Sequence, residues 1–183
     1  MAISAQFRDQ MIAAIPGLRA FGLSLTARGD RADDLVQETL MKAWKHSASF
    51  EQGTNMKAWL YTILRNEFYS QLRKRKREVE DADGFYSGKV AVHAEQDGHL
   101  DMADLRVALA KLPEDQREAI ILVGASGFSY EEAADICSVA VGTIKSRVNR
   151  ARARLAALLQ IGANENFGPD SRSEAIVGSA QRN

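Results

Sequence analysis

An all-α fold of two small helical domains, joined by an acidic linker, is predicted by three features of this 183-residue sequence. Apolar residues recur at three and four positions in two separate clusters, before residue 77 and after residue 100. Prolines number only three, and β-branched runs are scarce. Between the clusters lies a polar, Gly-punctuated stretch with no sustained period. Hydrophobic content of 45% with 26% charged residues suits chains that bury a real core.

In chain order, MAISAQFRDQM lacks the basic-then-apolar layout of a secretory leader, and no run of 18 apolar residues occurs anywhere, so no membrane partner is expected. Leu35, Val36, Leu40, Ala43 and Trp44 mark an amphipathic helix. Asp30 is its expected cap, and Asp33, Asp34 and Glu38 crowd its early turns. HSASFEQGTN breaks the pattern. Met56, Trp59, Leu60, Ile63, Leu64, Phe68 and Leu72 then define a long helix that runs into RKRKR. Residues 78–99 read as a linker; fully extended, its 22 residues would reach about 70 Å. His93 and His99 fall within it, but a loop offers no supporting shell for a metal, so neither metal nor cofactor is expected.

The second cluster opens near Leu100. Leu105, Leu109 and Leu112 form a helix stopped by Pro113, which is expected at the first position of the next. GASGF should end that helix, and Ser129 with Glu132 three residues on predicts a capping box for YEEAADIC. Lone Cys137 is expected to be a small packed residue. The polar tail from 161 to 183 is expected to be disordered.

Charge is distributed in blocks. Residues 65–77 hold six basic groups against Glu67, a net of +5; residues 141–160 hold five and no acid. Residues 78–104 carry eight acids against Lys89, a net of −7. Blocks of this kind signal charged partners although the whole chain is neutral.

VGTIKSRVNRARARL resolves into parts when wound at 3.6 residues per turn. Val141, Ile144, Val148, Ala151, Leu155 and Leu158 form one apolar stripe. Opposite it stand Gly142, Ser146, Asn149 and Arg150, with Thr143 beside them; Lys145 and Arg152 run along one flank, Arg147 and Arg154 along the other. A helix selected for stability alone would pair its cations with Glu at i,i+4. This one has none, and its tip offers Arg for guanine and Asn for adenine. A short capped helix, a turn and a longer basic helix make the helix-turn-helix layout, with Ala133 and Ala134 small at the crossing.

LPEDQREAIILVGASGFSYEEAADICSVAVGTIKSRVNRARARL resembles region 4 of bacterial extracytoplasmic-function sigma factors. DDLVQETLMKAW is similar to their region 2.2, and WLYTILRNEFYSQLRKRKR to regions 2.3–2.4. VGASGFSYEEAA with the basic helix further resembles the EcfG-type sigma factors of the alphaproteobacterial general stress response. The resemblance implies a cytoplasmic specificity subunit of RNA polymerase with no catalysis of its own. It divides the chain into region 2 (1–77), linker (78–99), region 4 (100–160) and tail (161–183).

Carried onto this chain, it implies that Asp34, Gln37 and Glu38 face core polymerase; their alternative role is to favour a helix N-terminus. Asn66 and the loop Gly53–Thr54–Asn55 would hold a base flipped from the melted −10 strand, with Trp59 and Tyr61 as candidate aromatics. Arg73, Lys74, Arg75, Lys76 and Arg77 would follow phosphates. Thr143, Lys145, Ser146, Asn149 and Arg150 would meet the −35 element, with Arg147 and Arg152 nearer its backbone. A small anti-sigma factor is the other implied partner. Two positions depart from the family pattern: Ser138 stands where Gly is usual in the turn, and Ala140 where Ser or Thr usually caps. The alternative in another class is a sigma mimic that binds the anti-sigma factor and not DNA. Such mimics carry a receiver domain, and only 23 residues follow the second cluster here. A stand-alone repressor would leave region 2 unexplained, and no phosphate loop, zinc spacing or nucleophile constellation suggests an enzyme.

Overall fold

Residues 4–80 and 100–159 are described by the computed structural model, and every regular element among them is helical. The expected tail, and the linker apart from its first three residues, lie outside the described residues. Three long helices build the first unit: α1 (Ala5–Thr26), α2 (Gly29–Lys45) and α3 (Met56–Glu80). A short 3-10 turn, Ser47–Ser49, precedes the loop into α3.

The sequence reading did not identify α1. Ser4 caps it by accepting the Phe7 N–H at 3.1 Å, and Ala27 ends it with φ 55°, its N–H donating to the Leu23 carbonyl. Phe7, Met11, Leu18, Phe21 and Leu25 share its buried face and pack on Leu35, Val36 and Ala43 of α2 and Met56, Leu60 and Leu64 of α3. Thr39 is fully buried, and its hydroxyl donates to the Leu35 carbonyl at 2.7 Å, so no polar group is stranded there.

Tyr61 is the hub of this core. It is 1% exposed, stacks on Phe21 at 5.0 Å and meets Phe128 of the second unit edge-on at 4.9 Å. Gly17 permits this close approach, because a Cβ there would lie 2.7 Å from the Tyr61 hydroxyl. Tyr61 is therefore closed to base stacking. Trp59, half-buried between Phe7 and Phe50, packs chiefly as core.

The second unit contains α4 (Leu100–Ala110), α5 (Glu114–Ile120), α6 (Tyr130–Cys137) and α7 (Val141–Leu158). Its core joins Leu112, Ala119, Leu122, Ala133, Ile136, Ile144 and Val148. GASGF does not end α5 abruptly. The helix widens over Ile121–Ala125, where the Ser126 N–H reaches the Ile121 carbonyl five residues back at 2.8 Å.

Local details correct other expectations. Arg28, not Asp30, holds the cap position of α2; Asp30 sits in the first turn and accepts two hydrogen bonds from the Arg28 guanidinium. Pro113 takes the cap position of α5 rather than its first residue, with ψ at 144°. Trp44, Leu72 and Leu158 belong to the expected apolar stripes but are exposed. α3 continues to Glu80, past the expected end of region 2.

Candidate nucleic-acid interface

α6 and α7 are set by their turn. The Ser129 hydroxyl accepts the Glu132 N–H at 3.0 Å while the Glu132 carboxylate accepts the Ser129 N–H at 2.9 Å, completing the capping box. Ser138 then takes the left-handed conformation, φ 53° and ψ 48°, and the Val139 N–H donates to the Ala134 carbonyl at 3.0 Å. A serine thus occupies the geometry glycine adopts at no steric cost. Ala133 and Ala134 are buried where α7 crosses.

The register of α7 follows. Ala140, extended at φ −67° and ψ 147°, is its cap residue and contributes no side-chain hydrogen bond. Ala140→Ser should supply that bond and raise stability by about 1 kcal/mol. A rise of several degrees in thermal midpoint would show it.

Ile144, Val148 and Ala151 are buried, and Val141 and Leu155 half-buried, so the apolar stripe turns inward as far as Leu155. Asn149 and Arg150 are exposed on the outer face beside Gly142, with Thr143 and Ser146 half-buried next to them. Lys145 is exposed and its ammonium lies 5.8 Å from the Tyr130 ring centre. The flanking arginines are not equivalent. Arg147 is drawn back to Asp115 of α5 at 3.2 Å, whereas Arg154 is exposed and Arg152 half-buried.

On the first unit, Arg73, Lys74, Arg75, Lys76 and Arg77 are all exposed along the end of α3. Arg65, at the head of the same basic block, turns the other way: its Nε donates to Glu118 at 2.7 Å. Asn66 is exposed and lines a cleft of about 470 Å³ with Lys42, His46, Trp59, Ser70 and Arg73. Burial raises the Glu67 carboxyl at its edge, but hydrogen bonds from Lys42 and Gln71 and the Lys42 charge leave it below its ordinary range.

Thr54 and Asn55 do not line this cleft. Thr54 donates to the Glu51 carbonyl at 2.7 Å within a turn where Gly53 takes φ 92°. Asn55 caps α3 by accepting the Ala58 N–H at 3.1 Å and donates to Glu132 at 2.6 Å. Eleven residues of helix separate Asn55 from Asn66, roughly 16 Å along its axis, so the two cannot hold one base together.

Asp34, Gln37 and Glu38 are exposed on α2, and Met41 and Trp44 extend the same face. Asp33 is engaged instead by Arg19, whose hydrogen bond holds its carboxyl below the ordinary range. Cys137 is buried, and burial pushes its thiol up to about 12, which makes it unreactive.

Residues 12–78 match the Sigma-70 region 2 family, and residues 102–155 match Sigma-70, region 4. The chain is 58% identical over 178 residues to the ECF RNA polymerase sigma factor EcfG of Rhodopseudomonas palustris, covering 97% of this chain and 98% of that one. The sigma factor RpoE of Bartonella quintana, solved in complex with the anti-sigma factor NepR, shares 59% identity with a TM-score of 0.78, covering 86% of this chain and 99% of that one. The PhyRSL–NepR complex from Sphingomonas sp. Fr1 aligns with a TM-score of 0.63 at 21% identity, covering 88% of this chain and 95% of that one, a likeness of fold alone.

Proposed function

The chain belongs to the extracytoplasmic-function sigma factors of the sigma-70 family, and from that premise we propose how its surfaces divide the work of promoter selection. α7 enters the major groove of the −35 element. Asn149 and Arg150 meet base edges, Thr143 and Ser146 lie beside them, and Lys145 and Arg152 meet phosphates. Arg147 joins the phosphate contacts when it leaves Asp115.

Region 2 takes the melted −10 strand. The cleft lined by Asn66, Lys42 and Trp59 receives an extruded base, and residues 73–77 follow the phosphates beside it. Thr54 and Asn55, some 16 Å away along α3, contact a different nucleotide. Asp34, Gln37 and Glu38 face core polymerase. Region 2 extends from 1 to 77 and region 4 from 100 to 160, with the acidic linker between. The protein acts in the cytoplasm, performs no catalysis of its own, and answers to a small anti-sigma factor, as the complex of its Bartonella relative suggests.

The observation that carries this reading is the outward face of α7, where Asn149 and Arg150 stand exposed on a helix firmly packed behind. A mimic with no use for DNA has no need of that edge. In-vitro transcription with purified chain and core polymerase on genomic fragments should yield discrete mapped start sites sharing −35 and −10 elements. Core binding without any start site would defeat the proposal.

A further inference from the structure

α7 carries five cations, and among the described residues only Arg147 is ion-paired, to an acid of another helix. Its Nε lies 3.2 Å from Asp115 Oδ2, where α5 packs against α7. The Arg147 side chain is 21% exposed and that of Asp115 47%, so the guanidinium is drawn down beside an acid that faces water. Arg147 also lies in the field of a second α5 carboxylate. Burial raises the Glu118 carboxyl above its ordinary range, and the charges of Arg65 and Arg147 pull it back. Glu118 offers Arg147 no other seat, because its two oxygens already meet Arg65 at 2.7 Å and the Tyr69 hydroxyl at 3.4 Å. Asp115 is the acid that holds this arginine.

Stability does not account for the pair. An ion pair this open to water contributes little. Asp115 suits the first turn of α5, but Glu114 occupies the same turn and already meets that need. Beside a helix that docks on phosphates, a carboxylate works against binding. It repels the DNA backbone and occupies a donor that the backbone would use. A weak pair at the margin of the binding face is what a conditional contact requires. Arg147 stays on Asp115 while α7 only collides with DNA, and passes to a phosphate once the helix is seated. Attraction to the backbone is blind to sequence, so withholding one cation until then weakens wrong sites relative to the right one.

Resting on the sigma-factor reading of α7, we propose that Asp115 is a specificity-determining residue. It competes with DNA phosphate for Arg147 and holds down binding to sequences that lack a −35 element. A phosphate contact delayed until Asn149 and Arg150 have met their bases adds affinity only at the correct site.

Asp115→Asn keeps the shape of the side chain and removes its charge. The full-length variants, assembled with core polymerase, are titrated over a range of salt against two duplexes. One is a promoter, and the other is the same promoter with its −35 element scrambled. Asp115→Asn should bind the scrambled duplex about tenfold tighter and the native promoter at most about threefold tighter, with the salt slope on the scrambled duplex steeper by about one unit. Adding Arg147→Ala should cancel both the gain and the steeper slope. A gain that survives the loss of Arg147 would mean that Asp115 merely repels DNA. Equal gains on both duplexes would remove Asp115 from specificity, and unchanged or weaker binding would make the pair a plain clamp between α5 and α7. Each of these three results overturns the proposal. Failure of the sigma reading is seen separately, as the absence of start sites when the native chain is transcribed with core polymerase.

Discussion

Arg150→Ala should reduce −35-dependent transcription by one to two orders of magnitude while leaving core polymerase binding intact. Arg150 is exposed on the outer face of α7 and has no ion pair among the described residues, so its removal leaves no buried group unsatisfied. The helix behind it is held by Ile144, Val148 and Ala151, all at most 1% exposed, and α7 should fold unchanged. The loss is then that of a bidentate base contact, about 1–3 kcal/mol. Promoter titration with reconstituted holoenzyme should show weaker occupancy and tolerance of substitutions at one −35 base pair. Arg154→Ala, a phosphate-flank change, should instead weaken binding across all sequences and flatten the salt dependence. If Arg150→Ala removed core binding and spared promoter choice, α7 would have to be reassigned to the polymerase.

What the sequence made legible follows the range of the interactions. The capping box of Ser129 and Glu132, the extent of α6 and the buried stripe of α7 all depend on neighbours three or four residues away, and each was readable. α1 was not, because exposed Ile12 and Leu23 share the helix with its buried apolar set, and Pro16, a residue that ordinarily signals a helix end, lies inside it. These residues blur the stripe that a periodicity reading needs. Arg65 shows the limit most clearly. By composition it opens a basic block, yet its partner Glu118 lies 53 residues further along the chain, and no local pattern links them. Asn55 was singled out from its loop, but its bond to Glu132 is a tertiary fact, as is its absence from the cleft that Asn66 lines. The division of the candidate residues between two domains was read from the sequence; the contact between those domains was not.

Asp34→Lys with Glu38→Lys should weaken assembly with core polymerase by more than about a hundredfold, since like charges brought together at an interface cost several kcal/mol. The competing explanation is that these acids serve only the dipole at the start of α2. The position of that start decides against it. α2 begins at Gly29, and the dipole's influence fades beyond the first turn. Asp30 occupies that turn, whereas Asp34 and Glu38 lie well inside the helix. Neither of the two is the acid that Arg19 engages, which is Asp33. With Gln37 between them and Met41 and Trp44 exposed further along, they form a polar-to-apolar face with no helix packed over it among the described residues. The double variant should therefore keep its thermal midpoint within a few degrees and lose polymerase affinity, most steeply at low salt where the repulsion is least screened. A drop in thermal stability with native polymerase affinity would return the acids to a purely helical role and leave the exposed pair Met41 and Trp44 without a partner.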